Sequence, residues 1–320
     1  MNKYQNRVSR PTRSGYGEGL LESGLRNDKV FVLGADITAS TGTDLFAKNI
    51  PDRFYSIGIA EQNVAGIAAG MALYGKIPVF CTYAVFSAFR AADQIRVSIC
   101  YNNLHVVIGG AHAGISVGPD GATHQALEDI SVMRALPNMT VFSPCDATQT
   151  RLATEAAIEQ IKGPVYIRFG RDAVPDFTLP NMPFIPGKGQ ILSEGNDLSI
   201  ISTGHMTWQA LEAASMLQTE GINTRVINIH TIKPIDSQII QQAATETGAI
   251  VTAEEHQIFG GLGSAVAEVV CKTHPVPMEV VGVNDKFGES GKPSELMEKY
   301  GLTPQHIYIA ALKVIKRKNK

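Results

Sequence analysis

The segment GIAEQ at residues 58–62 places one carboxylate, Glu61, at the start of a stretch of small apolar residues. A glutamate in the first turn of a helix is favoured by the helix dipole, and that effect alone could explain it. The small neighbours would also bury the carboxyl group, and burial raises a carboxyl pKa so that the group can stay protonated and donate a hydrogen bond. We therefore predict Glu61 as a candidate for proton transfer.

Aromatic residues recur at every third position in the segment YAVFSAFR at residues 83–90, namely at Tyr83, Phe86 and Phe89. This spacing predicts one helical face, which is typical of a protein core. The same face could equally form a flat wall on which a heteroaromatic ring stacks. Because aromatic residues make up only 7% of the chain, the cluster is a candidate ligand surface.

A glycine-rich segment at residues 109–125 carries His112, Asp120 and His124 directly after a predicted strand. Loops at strand ends are where open α/β sheets hold their ligands. Two histidines and an aspartate could bind zinc, but their spacing matches no common ligand pattern, and no metal site is predicted. The segment is a candidate active-site loop that is expected to open a helix.

Alternating strands and helices must position these residues. Short apolar runs bounded by Gly, Pro or Asn predict buried strands at residues 30–33, 77–81, 104–108, 140–142 and 165–167. The segments between them predict helices at residues 60–74, 84–99, 122–136 and 147–161. This alternation predicts a doubly wound α/β domain with its ligands at the carboxyl ends of the strands.

A second, smaller α/β domain is predicted beyond a proline-rich segment at residues 172–187. The predicted division is residues 1–178, a linker at 179–187, and residues 188–320. The later strands are predicted at residues 198–202, 225–229, 250–253 and 277–281, and the later helices at 205–219, 237–247 and 262–271. The glycines at residues 260–263 do not meet the dinucleotide-binding spacing, so a tight helix start is favoured over an NAD site.

The composition excludes several classes of protein. Charged residues are 18% of the 320 and apolar residues 44%, which argues against disorder and predicts a surface partly covered by other chains. The net charge of −2, with scattered Lys and Arg, predicts no nucleic-acid partner. No membrane span is predicted. The four cysteines form no metal-binding or redox pair, which favours a reducing cytoplasm.

Six segments together resemble the C-terminal part of a transketolase, and the resemblance covers nearly the whole chain. In the family's order and spacing they are TR at 12–13, GADITAS at 34–40, GIAEQ at 58–62, YAVFSAFR at 83–90, GPDGATHQ at 118–125 and FGR at 169–171. The resemblance implies a pyrimidine-binding domain followed by the C-terminal domain of the family.

The resemblance also implies thiamine diphosphate, held between the pyrimidine domain of one subunit and the diphosphate domain of another. The glutamate matching Glu61 hydrogen-bonds N1′ of the aminopyrimidine and so promotes removal of the thiazolium C2 proton. Five more residues match cofactor positions: Phe86, Tyr83 and Phe89 enclose the aminopyrimidine, Ile37 supports the bent cofactor, and Asp36 lies near the thiazolium.

The reaction implied is transfer of a two-carbon ketol unit from a ketose phosphate to an aldose phosphate. By the same resemblance, His124 binds donor hydroxyls and Asp120 reads the hydroxyl beside the acceptor's aldehyde. Three potential cations and a hydroxyl match the family's phosphate site and would position the substrate by charge-assisted contacts. They are Arg13, Ser40, His112 and Arg171.

The family's diphosphate domain, with the G-D-G motif and downstream Asn that hold Mg²⁺, is not in this sequence. The chain therefore resembles the second subunit of a split transketolase, with a partner subunit that binds Mg²⁺ and an α2β2 assembly. Because Gln62 follows Glu61, a fragment of a 1-deoxyxylulose-5-phosphate synthase stays an alternative, as do a 2-oxo acid dehydrogenase β subunit and a non-catalytic partner protein. His112, Asp120 and His124 favour sugar chemistry over 2-oxo acids.

Overall fold

The computed structural model describes residues 7–179 and 182–318; residues 1–6, 180–181 and 319–320, which fall in the predicted first domain, linker and second domain, lie outside the described residues. The strands are β1 (Ser9–Pro11), β2 (Val30–Gly34), β3 (Phe54–Ser56), β4 (Ile77–Tyr83), β5 (Val107–Ala111), β6 (Thr140–Phe142), β7 (Val165–Arg168), β8 (Ala173–Pro175), β9 (Gln190–Ser193), β10 (Leu198–Ser202), β11 (Thr224–Asn228), β12 (Thr231–Lys233), β13 (Ile250–Gln257) and β14 (Met278–Val283).

Most of the helices lie between these strands, and the last two follow β14. They are α1 (Thr12–Arg26), α2 (Thr38–Thr41), α3 (Asp44–Asn49), α4 (Glu61–Leu73), α5 (Ala92–Gln94), α6 (Asp129–Ala135), α7 (Ala147–Glu159), α8 (Met206–Thr219), α9 (Ser237–Thr247), α10 (Leu262–Lys272), α11 (Pro293–Lys299) and α12 (Pro304–Lys318). Phe86–Arg90 and Ile95–Cys100 are π-helical turns, and Pro51–Arg53 and Ile115–Asp120 are 3₁₀ turns.

Seven strands form the first sheet, in the order β12-β6-β7-β5-β4-β2-β3. Neighbours are parallel except β12, which is antiparallel to β6. Val30, Val32 and Leu33 of β2 are fully buried, as expected for a parallel sheet covered on both faces. The strand predicted at residues 104–108 instead begins at Val107, because the Leu104 N–H bonds back to Ile99 and prolongs the preceding turn.

Five strands form the second sheet, in the order β14-β13-β10-β11-β9, with β9 as an antiparallel edge. Local signals set its elements: α9 begins where the Asp236 side chain accepts the Ile239 N–H and ends at Gly248, whose φ is 64°. The predicted doubly wound α/β class of both halves is confirmed, with the addition of one antiparallel strand at an edge of each sheet.

The helix predicted at residues 122–136 is wrong over its first half, because α6 begins only at Asp129. Polar groups of residues 122–128 instead form hydrogen bonds with distant segments of the chain. The Gln125 side chain donates to the carbonyls of Ile115 at 3.1 Å and Glu289 at 2.9 Å. The Leu127 carbonyl accepts from Gln257 of the second half. These long-range bonds keep residues 122–128 as a loop.

The segment at residues 172–187 is packed against the first half over part of its length. Its strand β8 pairs antiparallel with β1, and Asp146 Oδ2 accepts the N–H groups of Phe177 at 2.9 Å and Thr178 at 2.6 Å. Further along the chain, β12 lies at the edge of the first sheet although β11 and β13 belong to the second. The two halves of the chain therefore interlock.

Two further features bear on the setting of the protein. Among the described residues, no helix is both long and apolar enough to span a bilayer.

The four cysteines are free, and burial raises the pKa of Cys81 to about 12 and that of Cys100 to about 11. These two thiols stay protonated and pack as small apolar groups.

Candidate active site

The candidate residues gather at one edge of the first sheet, where its parallel strands end. Asp36 and Ile37 follow β2, Tyr83 ends β4, His112 follows β5, and Arg171 comes shortly after β7. Asp36 and His112 have positive φ angles of 62° and 53°. This conformation costs residues other than glycine of order 1–3 kcal/mol, and such strain clusters at functional sites.

Glu61 begins α4, and only 1% of its surface is exposed. Arg90 Nη1 donates to both of its carboxylate oxygens, at 3.0 and 2.9 Å, and the Thr82 hydroxyl donates to Oε1 at 3.3 Å. Arg90 was not predicted from the sequence as the partner of Glu61. The available signal was a basic residue closing the aromatic segment at residues 83–90.

The three aromatic residues of this segment do not share one helical face, so that prediction is wrong. Tyr83 is the last residue of β4, paired with Ala111 on β5, and only Phe86 and Phe89 lie in the π-helical turn. Phe86 is half-buried, whereas Phe89 is 50% exposed. The aromatic side chains therefore line an open surface instead of filling the core.

Tyr83 connects the aromatic residues to both candidate histidines. Its ring stacks on His112 at 4.4 Å between centroids, meets His124 edge-on at 5.7 Å, and lies 5.9 Å from Phe86. Phe86 in turn contacts His124 at 5.4 Å, and the Arg90 guanidinium lies 4.1 Å from the Phe86 ring centroid. The structure thus brings the predicted cofactor wall and the predicted substrate residues together.

The four predicted phosphate residues also converge, largely around the Ser40 carbonyl. Arg13 Nη1 and His112 Nε2 each donate to that oxygen at 3.1 Å. Arg171 Nη1 donates to Asp120 Oδ1 at 2.8 Å, so the residue predicted to read the acceptor hydroxyl pairs with a residue predicted to bind phosphate. Asp120 is the only carboxylate within ion-pairing distance of Arg171 or His112 among the described residues.

The pKa of His112 lies far below the ordinary value of a histidine. Burial, together with the charges of Arg13 and Arg171, lowers its pKa to about 4, although Asp120 and the Ser40 hydrogen bond oppose the shift. The ring is therefore neutral at pH 7, and only two of the three potential cations are charged there. Its buried Nδ1 has no hydrogen-bond partner in the part of the chain that the structure describes, and it lies 3.9 Å from Asp120 Oδ2. A neutral imidazole with Nε2 donating leaves Nδ1 as an acceptor for a ligand hydroxyl.

Comparison with known proteins identifies the class. The sequence matches the family "Transketolase, pyrimidine binding domain" over residues 9–176 and "Transketolase, C-terminal domain" over residues 187–307. Together these matches cover most of the chain, and the chain belongs to the transketolase family.

Individual relatives refine this class. The "6-deoxy-6-sulfo-D-fructose transketolase subunit SqwH" of Clostridium sp. is 41% identical, with 96% of this chain and 95% of that protein covered. A solved structure described as "Split gene transketolase, inactive beta4 tetramer" is 50% identical, with a TM-score of 0.89 over 97% of this chain and 100% of that one. The 1-deoxy-D-xylulose-5-phosphate synthase of Caldanaerobacter subterraneus is 38% identical over 91% of this chain but only 47% of its own length.

The transketolase family depends on thiamine diphosphate, and the residues present fit one end of this cofactor. A buried carboxylate beside half-exposed aromatic rings suits an aminopyrimidine, which offers ring nitrogens and a flat face. Within residues 7–179 and 182–318, no group of three or more His, Cys, Asp or Glu side chains is arranged to hold a metal ion. This fit concerns the pyrimidine end of the cofactor.

Proposed function

We propose that this chain is the C-terminal subunit of a split transketolase, transferring a two-carbon ketol unit from a ketose phosphate to an aldose phosphate in carbohydrate metabolism of the pentose phosphate type. The observation that carries this proposal is the position of Tyr83, between Phe86 on the cofactor side and His112 on the anion side. A ketol transferase needs these two sites in contact, because the reacting carbon joins cofactor to sugar.

On the cofactor side, Glu61 holds the proton at N1′ of the aminopyrimidine. Thiamine diphosphate, when bound, supplies the nucleophilic carbon that takes up the ketol unit. Arg90 keeps the Glu61 side chain in one orientation through its two hydrogen bonds. Phe86, with Tyr83 and Phe89, offers the surface on which the pyrimidine ring stacks. The loop at Asp36 and Ile37 supports the cofactor from the end of β2.

On the substrate side, Arg13 and Arg171 bind the anionic end of the sugar, with the Ser40 hydroxyl as a further donor. Bidentate or charge-assisted contacts of this kind fix a substrate's orientation. His112 Nδ1 accepts a sugar hydroxyl, His124 binds donor hydroxyls, and Asp120 receives the hydroxyl beside the acceptor aldehyde. The SqwH relative is named for a sulfonated sugar, so a sulfonate is the natural competitor of phosphate in this site.

The surface supports an assembly with other chains, as the low charge content predicts. Leu73 at the end of α4 is 72% exposed, and the adjacent Tyr74 is 90% exposed. Tyr101 is 85% exposed on the same half of the chain. Contiguous exposed apolar groups mark interaction sites, and Leu73 and Tyr74 are adjacent in the chain. We assign this half to contacts with a second copy and with a partner subunit that carries the diphosphate domain and its Mg²⁺, in an α2β2 heterotetramer.

We assign the domain bounds and the compartment as the sequence predicts them. Residues 1–178 form the pyrimidine-binding domain, residues 179–187 the linker and residues 188–320 the C-terminal domain. The four free cysteines suit a reducing cytoplasm.

The proposal is tested by mixing the chain with a diphosphate-domain subunit encoded in the same genome, thiamine diphosphate and Mg²⁺. Ketol transfer is assayed with phosphorylated and sulfonated ketose donors and aldose acceptors, and mass by light scattering. We expect activity only in the mixture, at a mass of two copies of each chain. Transfer by this chain alone, or turnover of 2-oxo acids with none of ketose phosphates, would contradict the proposal.

A further inference from the structure

The residues of the proposed anion site stand on three segments far apart in the sequence. Arg13 lies in the first turn of α1 and Arg171 follows β7, whereas His112 precedes the 3₁₀ turn Ile115–Asp120 and Asp120 ends it. Arg13 and His112 are joined through the Ser40 carbonyl, to which both side chains donate. Arg171 donates to Asp120 and, at 3.5 Å, to the Val117 carbonyl. Next to these residues, the Ala113 N–H donates to the Phe169 carbonyl at 3.1 Å and joins two of the segments directly. Residues of the second half add further contacts to all three segments.

Glu255 of the second half holds the loop segment. It lies in β13, is 3% exposed, and its Oε1 accepts the backbone N–H of Ser116 at 2.7 Å. Gly114, with a φ of 89°, passes so close that a Cβ there would lie 2.2 Å from Glu255 Oε1. The loop that carries His112 and Asp120 is therefore shaped around this carboxylate.

His205 of the second half contacts the other two segments. Its Nδ1 lies 3.5 Å from Glu255 Oε2, and its Nε2 lies 3.5 Å from the Thr12 hydroxyl, next to Arg13. Thr12 Oγ1 accepts the Gly170 N–H at 2.8 Å, next to Arg171. A Cβ on Gly170 would lie 2.2 Å from His205 Cε1, so glycine permits this close approach.

Arg168 fixes Glu255 itself. Its Nη2 donates to the Glu255 carbonyl at 2.8 Å, and its Nε donates to both oxygens of Asp129, at 3.2 and 2.9 Å. All three residues are buried. A buried ion pair with satisfied hydrogen bonds has a single geometry, so β13 is held firmly against the end of β7.

We propose that Glu255 and His205 are positioning residues by which the second half holds the three segments so that Arg13, Arg171 and His112 converge on the anionic end of the substrate. This inference rests on the proposed function for the identity of that substrate. Both residues are nearly inaccessible to solvent. Glu255 acts through the backbone N–H of Ser116, and His205 acts through the Thr12 hydroxyl and its close approach to Gly170.

The neighbouring Glu254 provides a matched control. It lies on the same strand and is fully buried, and its two oxygens accept the N–H groups of Leu262 and Gly263, each at 2.7 Å. Glu254→Ala and Glu255→Ala thus remove the same group from adjacent buried positions. Only Glu255→Ala releases the loop that carries His112 and Asp120.

Both variants are assembled with the partner subunit and compared with the wild type. For Glu255→Ala we expect a KM for phosphorylated acceptors raised about 10- to 100-fold, with a smaller change in kcat and in the KM of unphosphorylated acceptors. Glu255→Gln, which keeps one acceptor oxygen for Ser116, should recover part of the affinity. Glu254→Ala should leave the ratio of the two KM values unchanged.

Amide hydrogen exchange supplies a readout independent of activity. Glu255→Ala should speed exchange at residues 112–120 and 169–171, and Glu254→Ala at residues 262–265. Equal KM ratios in the two alanine variants, or unchanged exchange at residues 112–120 in Glu255→Ala and Glu255→Gln, would overturn the inference. If the wild-type complex transfers no ketol unit, the proposed function fails while the exchange experiment still decides the positioning role.

Discussion

The two sides of the candidate site balance their charges differently. On the cofactor side, the buried Glu61 carboxylate has both oxygens bonded to Arg90. On the anion side, the charges of Arg13 and Arg171 act on His112, and within residues 7–179 and 182–318 Asp120 is the only carboxylate at ion-pairing distance from Arg171 or His112. The charges of Glu61 and Arg90 balance on the cofactor side, which suits an uncharged ring. The second side carries excess positive charge, which a phosphate or sulfonate would neutralise.

Removal of Glu61 should have the largest effect. Glu61→Ala leaves no group to hold the pyrimidine proton, so we expect exchange of the cofactor C2 proton, followed by NMR in deuterated buffer, to slow about 10²- to 10⁴-fold. Assembly should be unchanged. Glu279→Ala, which removes a carboxylate paired with Lys313 and Arg317 in the other half, is the control and should exchange at the wild-type rate. Fast exchange in Glu61→Ala would remove Glu61 from its role.

The second-largest effect is expected from a substitution on the anion side. Arg171→Ala removes one of two cations, and loss of a charge-assisted contact should lower kcat/KM for phosphorylated acceptors about 10- to 100-fold. Unphosphorylated acceptors should lose much less. Arg26→Ala, on the far end of α1 with its surface ion pairs to Glu155 and Glu159, serves as the control. An equal loss for both kinds of acceptor would exclude Arg171 from the anion site.

The free energy of unfolding should separate the two sides in the same order. Arg90→Ala leaves the Glu61 carboxylate buried without a cation, but Arg90 is 44% exposed and water screens the pair. We therefore expect the free energy of unfolding to fall by about 1–2 kcal/mol. Arg171→Ala breaks a pair whose side chains are 38% and 29% exposed, and should cost less than about 1 kcal/mol. Denaturant unfolding that gives the reverse order would contradict the comparison.

The smallest expected effect is on the titration of His112. Inorganic phosphate would neutralise Arg13 and Arg171, two of the causes that lower the pKa of His112 to about 4, so this pKa should rise. The pKa of His230, also about 4 but lowered by burial alone, should not move. Histidine-labelled NMR measures both. A His112 signal unaffected by phosphate would show that the anion binds elsewhere.

The same shift predicts how stability varies with pH. The unfolded chain takes up a proton on His112 near pH 6.5, whereas the folded chain does so only near pH 4. Protons therefore favour the unfolded chain between these values, and the stability linked to His112 is lost as the pH falls through this range.

The sequence predicted the positions of the site residues better than their contacts. Alternating apolar runs located the ends of β2 and β5, and with them Asp36 and His112, because burial patterns are local. The Glu61–Arg90 pair depends on a π-helical turn that brings together residues 29 positions apart. Residues 122–128 resemble a helix locally, but the long-range bonds of Gln125 and Leu127 hold them as a loop. Periodicity carries no signal for such long-range contacts.

Strand β12 limits how the chain can be recombined. Residues 231–233 lie within the second half in sequence but pair with β6 of the first sheet. A chimaera joined near residue 187 would therefore bring a foreign edge strand to β6 and leave the first sheet with a mismatched border. Exchange of halves between relatives should therefore succeed only when β6 and β12 come from the same parent.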